Sequence, residues 1–297
     1  CFEKCGFTKF DVPGNITAIE DNAFKGCSKL TDINIPHSVT RIDDGAFSDC
    51  ISLKSFDIPN GITSIASRVF MNCKKLSKII IPQGVTSIFS YAFSNCTNLV
   101  SVTLPDGLKY IGYETFRFCS SISNLEIPDS VTYIGWNAFQ FCSSIDNIKI
   151  PDNVTTIESA AFSDCSGLTT VTIGKKVESL QDTFNNCVNL TSIIWNAKNC
   201  TEAAYYNSLK GIYYLAFGNC PKVKNIVIGN DVQTIPPYAF CKLGKVTTVT
   251  IPGSVTYIGS NAFKSCTELS TVNYNATNCT IENLSAPFSN CKKLENV

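Results

Sequence analysis

A Phe-x-x-Cys pair recurs along this 297-residue chain at a nearly constant step of 23 residues. A fixed period of 20–50 residues is typical of stacked supersecondary units, each of which buries its apolar face only against a neighbour. The period therefore predicts a solenoid. Twelve pairs follow the pattern: Phe2/Cys5, Phe24/Cys27, Phe47/Cys50, Phe70/Cys73, Phe93/Cys96, Phe116/Cys119, Phe139/Cys142, Phe162/Cys165, Phe184/Cys187, Phe217/Cys220, Phe263/Cys266 and Phe288/Cys291.

The repeat that spans residues 30–50 illustrates the local structure that the sequence predicts. Ile33 and Ile35 alternate with Asn34, which is the arrangement of a short strand with one buried face. Pro36 ends this strand because proline has no N–H to donate to a sheet. A second extended piece follows, since the residues after this turn are again β-branched and alternating.

The last part of the repeat must turn the chain back toward the next strand. Ala46, Phe47 and Cys50 are the apolar residues of this part, and we expect all three to be buried. Their spacing suits one tight helical or 3₁₀ turn. The sequence therefore predicts a coil made of two short strands and one short helical turn.

The consensus Leu-x-x-Ile-x-Ile-Pro-x-x-Val-Thr-x-Ile-x-x-x-Ala-Phe-x-x-Cys resembles the 23-residue leucine-rich repeat of the BspA-like, Treponema pallidum-type class. The resemblance covers essentially the whole chain. It implies a leucine-rich-repeat solenoid, β-rich and right-handed, with short parallel strands on the concave face and 3₁₀ or short helical turns. The resemblance also implies the function typical of this class, that of a bacterial or protist surface protein that binds host matrix proteins or other cells.

The period also sets the domain organisation that we expect. Residues 1–297 would form a single domain of about 13 repeats, with an irregular repeat and an insertion at 196–228. Both ends fall inside a repeat, so we interpret the chain as a fragment truncated at both ends. Any signal or anchor would then lie outside it.

Sixteen cysteines would suggest disulfides in a secreted protein, but twelve of them occupy the same slot of the repeat. Equivalent residues of stacked strands lie roughly 4.8 Å apart with parallel side chains. A disulfide needs its two Cβ atoms about 3.8 Å apart and facing each other. We therefore expect a column of buried free thiols. The candidates for any disulfide are the cysteines outside this column: Cys1, Cys200, Cys241 and Cys279.

Composition argues against several classes of function. The 24 basic and 24 acidic residues cancel and form no basic stripe, so no nucleic-acid partner is expected. No run of 18 apolar residues is present, which argues against membrane insertion by this segment. His37 is the only histidine, and Cys27 and Cys50, its conceivable partners, should be buried. We therefore predict no catalytic residues, no cofactor and, without paired short cysteine spacings, no metal site.

Three aromatic columns in two adjacent repeats are the first candidate binding site. The corresponding columns elsewhere mostly carry small polar residues, so six aromatic side chains should lie on the outer surface. Exposed apolar patches mark interaction sites, and aromatic residues are favoured anchors there. The competing explanation is that neighbouring rings only stabilise each other. We call these residues the aromatic patch: Tyr110, Tyr113, Phe118, Tyr133, Trp136 and Phe141, with Phe89 and Tyr91 as an extension into the preceding repeat.

The insertion is the second candidate, because loops inserted into solenoids lie on the surface and tyrosines offer contact area at low entropic cost. The competing explanation is a self-packed bulge that covers neighbouring coils. A third candidate is the concave sheet, whose central outward column is neutral and rich in threonine. The tyrosines of the insertion are Tyr205, Tyr206, Tyr213 and Tyr214.

These observations and the resemblance together predict a non-enzymatic, extracellular or cell-surface protein that mediates adhesion. The implied partner is a host matrix or cell-surface protein. Planar aromatic rings also stack on sugars, so a carbohydrate-binding module is an alternative. A structural spacer within a larger surface protein is the second alternative, and an intracellular scaffold is the third.

Overall fold

The computed structural model describes residues 2–281 and 287–295. The chain forms two units, Cys1–Ile145 and Asp146–Val297. Within each unit, successive coils of the chain stack on one another. A coil contains a first strand, a proline- or glycine-bearing corner, a second strand of two residues and a turn segment. The turn segment carries the Phe-x-x-Cys pair.

The strands of the first unit pair in parallel with neighbouring coils. The register is offset by 23 residues, as in the pairing of Lys9 with Asp32 and of Phe10 with Ile33. The first strands are β1 (Lys9–Asp11), β3 (Asp32–Asn34), β6 (Lys78–Ile80) and β8 (Ser101–Thr103). The second strands are β2 (Ala18–Ile19), β4 (Arg41–Ile42), β5 (Ser64–Ile65), β7 (Ser87–Ile88), β9 (Tyr110–Ile111) and β10 (Tyr133–Ile134).

The second unit repeats this arrangement and adds an antiparallel hairpin. The first strands are β11 (Asn147–Lys149), β13 (Thr170–Ile173), β14 (Ser192–Trp195), β17 (Asn225–Ile228), β19 (Thr248–Ile251) and β21 (Thr271–Tyr274). The second strands are β12 (Thr156–Ile157), β18 (Thr234–Ile235), β20 (Tyr257–Ile258) and β22 (Thr280–Ile281). The hairpin consists of β15 (Ala204–Asn207) and β16 (Ile212–Leu215).

The turn segment differs from the helical or 3₁₀ turn that the sequence predicts, because the described residues contain no helix. Some backbone N–H groups of the segment donate to the next coil, and others donate within their own coil. The N–H of Phe70 donates to the carbonyl of Ala92 in the next coil at 2.8 Å, whereas the N–H of Cys73 donates back to Phe70 at 3.1 Å. A helix would use every such donor within its own coil. The segment is therefore a series of β-turns that also continues the hydrogen bonding between coils.

Two positions of the turn segment adopt left-handed backbone conformations in coil after coil. The second of these directly precedes the ladder cysteine, and it has φ of 61° at Asp49, 63° at Asn72 and 62° at Asn95. Asn and Asp tolerate this conformation better than other residues with a side chain. Their side chains form a ladder, in which the amide of Asn72 donates to Asp49 and that of Asn95 to Asn72, both at 2.7 Å. The repeat consensus does not contain this ladder.

The interior of each unit is built around the column of phenylalanines. Phe93 and Phe116 stack with ring centroids 5.2 Å apart and an interplanar angle of 2°, and Phe116 and Phe139 stack at 5.3 Å. All three side chains are fully buried. Stacked aromatic pairs add stability beyond the burial of their area. The phenylalanine column therefore forms continuous apolar contact between successive coils.

The ladder cysteines lie beside the phenylalanines as buried free thiols. The Sγ of Cys96 donates to the carbonyl of Phe70 at 3.1 Å, and that of Cys119 donates to Phe93 at 3.1 Å. Burial raises the pKa of Cys96 to about 12, so its thiol stays protonated. The fifteen described cysteines are all free, including Cys200, Cys241 and Cys279, while Cys1 lies outside the described residues.

In the native state, the partly exposed thiols are expected to be alkylated much faster than the buried ones. Cys5 and Cys279 are partly exposed and should react with N-ethylmaleimide within minutes. Cys96 should react at least about 10³-fold more slowly, because its thiolate forms only when the stacked coils open. Pulse labelling followed by peptide mass spectrometry measures the rates, and labelling in denaturant gives the control. Equal rates for Cys96 and Cys279 would contradict the buried column.

Candidate functional site

The first column of the aromatic patch lies on the paired second strands β9 and β10. Tyr110 and Tyr133 are in register, and their rings stack at 4.9 Å with an interplanar angle of 8°. Both side chains are half-buried. In the preceding coil the partner of Tyr110 is Ser87, and the ring of Phe89, two residues further along, approaches Tyr110 at 5.9 Å. This column agrees with the explanation that neighbouring rings stabilise each other.

The second column lies in the turn segments directly after these strands. Tyr113 and Trp136 are each 46% exposed, the value for the most accessible rings of the patch. Backbone hydrogen bonds fix their spacing: Tyr91 N–H donates to Tyr113 O, and Glu114 N–H donates to Trp136 O, both at 2.9 Å. Two large exposed rings thus lie side by side on successive, rigidly connected coils.

The third column replaces the amide ladder with aromatic rings. Phe118 and Phe141 occupy the position that Asn95 holds in the preceding coil, and their φ angles are 61° and 63°. Left-handed backbone is unusual for a bulky residue. Their rings stack at 4.7 Å with an interplanar angle of 2°, and Phe118 is 39% exposed. These two phenylalanines therefore hold a strained conformation on the surface.

Two arginines complete this surface, and neither belongs to the aromatic columns that the sequence predicts. The guanidinium of Arg117 lies 4.6 Å from the ring centroid of Phe118 and pairs with the carboxylate of Glu114 at 2.9 Å. Arg68 lies 5.2 Å from the ring centroid of Tyr91. The chain has only three arginines, and these are two of them. That scarcity is a signal in the sequence, but it points equally to Arg41, which pairs with Glu20 and Asp43.

The third column borders a shallow surface depression of about 370 Å³. The two stacked ring pairs of the patch, Tyr110–Tyr133 and Phe118–Phe141, run along the columns from coil to coil. The depression brings Phe118 together with Tyr91, which the sequence had placed only at the edge of the patch. The residues that line it are Met71, Asn72, Tyr91, Ser94, Asn95, Glu114, Arg117 and Phe118.

The tyrosine-rich insertion forms the hairpin β15–β16, which we call the tyrosine hairpin. Tyr205 pairs with Tyr214, and Tyr206 pairs with Tyr213, with ring centroids 6.2 Å and 4.8 Å apart. The rings of Tyr205, Tyr206 and Tyr213 remain about half exposed. Leu209 at the tip is 97% exposed. The hairpin is thus neither a loose loop nor a fully self-packed bulge.

One face of the tyrosine hairpin is attached to the following coil. The ring of Tyr213 stacks on Tyr238 at 4.4 Å, while its other neighbour is Tyr206. Tyr238 has φ of 60°, so it too occupies a left-handed position of the turn segment. Three rings in succession therefore connect the hairpin to the body of the second unit.

The face formed by the first strands, which the sequence predicts to be the concave sheet, has fewer exposed side chains that could anchor a partner. Its exposed apolar side chains include Ile80 and Val227, which are 55% and 56% exposed. They stand among Thr, Asn and Lys residues of the same outward column.

Neither a cluster of metal-binding side chains nor an accessible thiol at Cys27 or Cys50 occurs in the part of the chain that the structure describes. No three His, Cys, Asp or Glu side chains come together there as a metal site would require. Cys27 and Cys50 are fully buried, and burial raises the pKa of the Cys50 thiol to about 12. No helix in the described ranges is long and apolar enough to cross a bilayer.

Comparisons with known proteins agree with this architecture. The profile of the BspA-type leucine-rich repeat region matches residues 1–109, 86–210 and 195–295. A leucine-rich repeat protein of Bacteroides ovatus is 28% identical, with a TM-score of 0.64, over 92% of this chain and 74% of that one. A leucine-rich cell surface protein of Faecalibacterium prausnitzii is 25% identical, with a TM-score of 0.54, over 98% of this chain and 87% of that one. A search of the curated proteins finds no significant match.

Proposed function

Because this chain belongs to the BspA-type leucine-rich-repeat family, we propose that it is a non-enzymatic, extracellular module that binds proteins at a cell surface. Adhesion to host matrix proteins or to other cells is the purpose that we assign to it. The observation that carries the proposal is the aromatic patch with its two arginines. The similar protein of Faecalibacterium prausnitzii, described as a cell surface protein, supports the location.

The energetics of Phe118 and Phe141 favour binding over ring stacking alone. Left-handed backbone costs about 1–2 kcal/mol for each residue. Stacking of the two rings returns about 0.5–1.5 kcal/mol, and the exposed cation–π contact of Arg117 returns about 0.5–1 kcal/mol. Asparagine at the same positions would tolerate the backbone and add amide hydrogen bonds, as Asn95 does. Backbone preference and ring stacking alone therefore favour asparagine over phenylalanine here, and recognition supplies a reason for the rings.

The chemistry of the patch fits a protein partner. Exposed tyrosine, tryptophan and arginine are the residue types that dominate binding energy at protein interfaces. Tyr113 and Trp136 are available for contact, and the depression beside Phe118 can receive a side chain of the partner. Rigid connection of the coils means that little order must be gained on binding.

The absence of enzymatic activity is part of the same proposal. A thiol nucleophile has to form a thiolate and reach its substrate. Cys50 does neither, because its Sγ is buried and donates to the carbonyl of Phe24 at 3.2 Å.

Substituting Tyr113 and Trp136 together by alanine is expected to weaken binding to the partner by about 2–4 kcal/mol, roughly 30- to 1,000-fold. Both rings are exposed, so the unfolding midpoint should change little. The measurement is surface plasmon resonance of the chain and its variant against a panel of immobilised matrix proteins.

Two controls make this test specific. Val100→Ala removes another exposed apolar side chain of the first unit, 51% exposed, and should leave binding unchanged. Shortening the tyrosine hairpin to a two-residue turn tests the other predicted surface separately. Full binding by the Tyr113→Ala/Trp136→Ala variant would refute the patch as the site, and no binding of the unaltered chain to any protein would favour the spacer.

A further inference from the structure

A second concave site lies in the second unit, between the tyrosine hairpin and the coils beneath it. It is a cleft of about 290 Å³, close to the lower end of the range for small-ligand cavities. One wall comes from the hairpin and the other from two successive turn segments. The residues that line it are Gly211, Ile212, Tyr213, Leu215, Tyr238, Cys241, Lys242 and Lys264.

The cleft contains two lysines without a carboxylate partner among the described residues. Ion pairs elsewhere in this unit connect Lys175 to Asp231 and Lys293 to Glu268, but none includes Lys242 or Lys264. Lys264 is half-buried, Lys242 is exposed, and both line the cleft. A cleft with uncompensated positive charge attracts an anion.

The backbone positions these cations and the aromatic wall together. Lys242 has φ of 66° and stands at the left-handed position where other coils carry asparagine, and its N–H donates to the carbonyl of Lys264 at 2.7 Å. Tyr213 stacks on Tyr238 at 4.4 Å. Burial raises the pKa of Cys241, whereas Lys242 and Lys264 both act to lower it. Both lysines and Cys241 line the same cleft.

From this arrangement we propose that the cleft binds an acidic sugar residue, one that carries a carboxylate or a sulfate. The two lysines would pair with the anionic group, and the tyrosines and Ile212 would contact the apolar face of the ring. An isolated aspartate or glutamate side chain of a protein would fill only part of the volume. This site lies outside the aromatic patch and does not depend on a protein partner.

The test uses free monosaccharides as probes of the intact chain. Isothermal titration calorimetry at low ionic strength would compare D-glucuronate and N-acetylglucosamine-6-sulfate with D-glucose and N-acetylglucosamine. The acidic sugars should bind, and the neutral sugars should bind at least about tenfold more weakly, because hydrogen bonds to charged groups are the stronger ones. The two acidic probes show whether the carboxylate or the sulfate is preferred.

Matched variants connect the binding to the cleft. Lys242→Ala/Lys264→Ala should weaken acidic-sugar binding at least about tenfold, and Lys264→Glu should abolish it. Lys245→Ala is the control, since Lys245 is exposed in the same turn but does not line the cleft. The inference is overturned if neither acidic sugar binds, if the neutral sugars bind equally well, or if the double lysine variant binds like the unaltered chain.

Discussion

Replacing Phe116 by alanine is expected to lower the free energy of unfolding by about 3–5 kcal/mol, the range for a fully buried phenylalanine. Its ring stacks on Phe93 at 5.2 Å and on Phe139 at 5.3 Å, so the substitution removes two coil-to-coil contacts at once. In a solenoid each coil is stabilised mainly by its neighbours. Urea unfolding followed by circular dichroism measures the loss.

The matched control lies two residues away. Phe118→Asn removes a phenylalanine that is 39% exposed and has φ of 61°, and it places an amide next to Asn95. Its free energy of unfolding should stay within about 0.5 kcal/mol of the parent or rise by up to about 1 kcal/mol, because asparagine tolerates left-handed backbone. A loss as large as that of Phe116→Ala would show that Phe118 is a core residue. It would also remove the energetic argument for the binding surface.

This contrast shows why one part of the fold could be predicted from sequence. The 23-residue period places Phe93, Phe116 and Phe139 in one column, and stacking then dictates their burial. The parallel strands and the column of free thiols follow from the same argument. Such features depend only on which residues recur at equal spacing.

The turn segment could not be predicted in the same way, because its structure depends on where each N–H finds a carbonyl. The spacing of Ala46, Phe47 and Cys50 fits a helical turn and a series of β-turns equally well. The hydrogen bonds decide: Phe47 N–H donates to Val69 in the next coil at 2.9 Å, and a helix cannot provide that bond. The amide ladder was missed for a related reason, since it requires the left-handed backbone at Asn72 and Asn95.

The candidate sites show the same division. Departures from the consensus identified the aromatic columns, and the structure places Tyr113, Trp136 and Phe118 at the surface. The contacts between these rings and the arginines could not be predicted, because they depend on the direction of each side chain, which an alignment of the repeats does not contain. The stacking of Tyr213 on Tyr238 could not be predicted either, because it depends on the insertion forming a hairpin that packs against the following coil.

Replacing Gly174 by alanine is expected to destabilise the second unit by about 3 kcal/mol, the upper part of the range for overpacking. Gly174 and Gly229 both stand in the corner slot that proline fills in most repeats, so the sequence treats them as equivalent. The structure shows that the two glycines differ in the atoms that an added Cβ would meet. A Cβ at Gly174 would lie 2.6 Å from the carbonyl carbon of Pro151 and 2.7 Å from the carbonyl oxygen of Ile150. Backbone atoms of a stacked coil cannot move aside without opening the coils.

Gly229→Ala is the matched control for this prediction. Its Cβ would meet the Oδ1 of Asn196 at 2.5 Å, but that atom is the end of a side chain that can rotate away. The free energy of unfolding should therefore change by less than about 0.5 kcal/mol, since alanine also restricts the unfolded chain. Urea unfolding of both variants gives the answer. Equal effects at the two sites would contradict the prediction, whereas a large loss at Gly174 alone would show that the close approach of Pro151 excludes a side chain there.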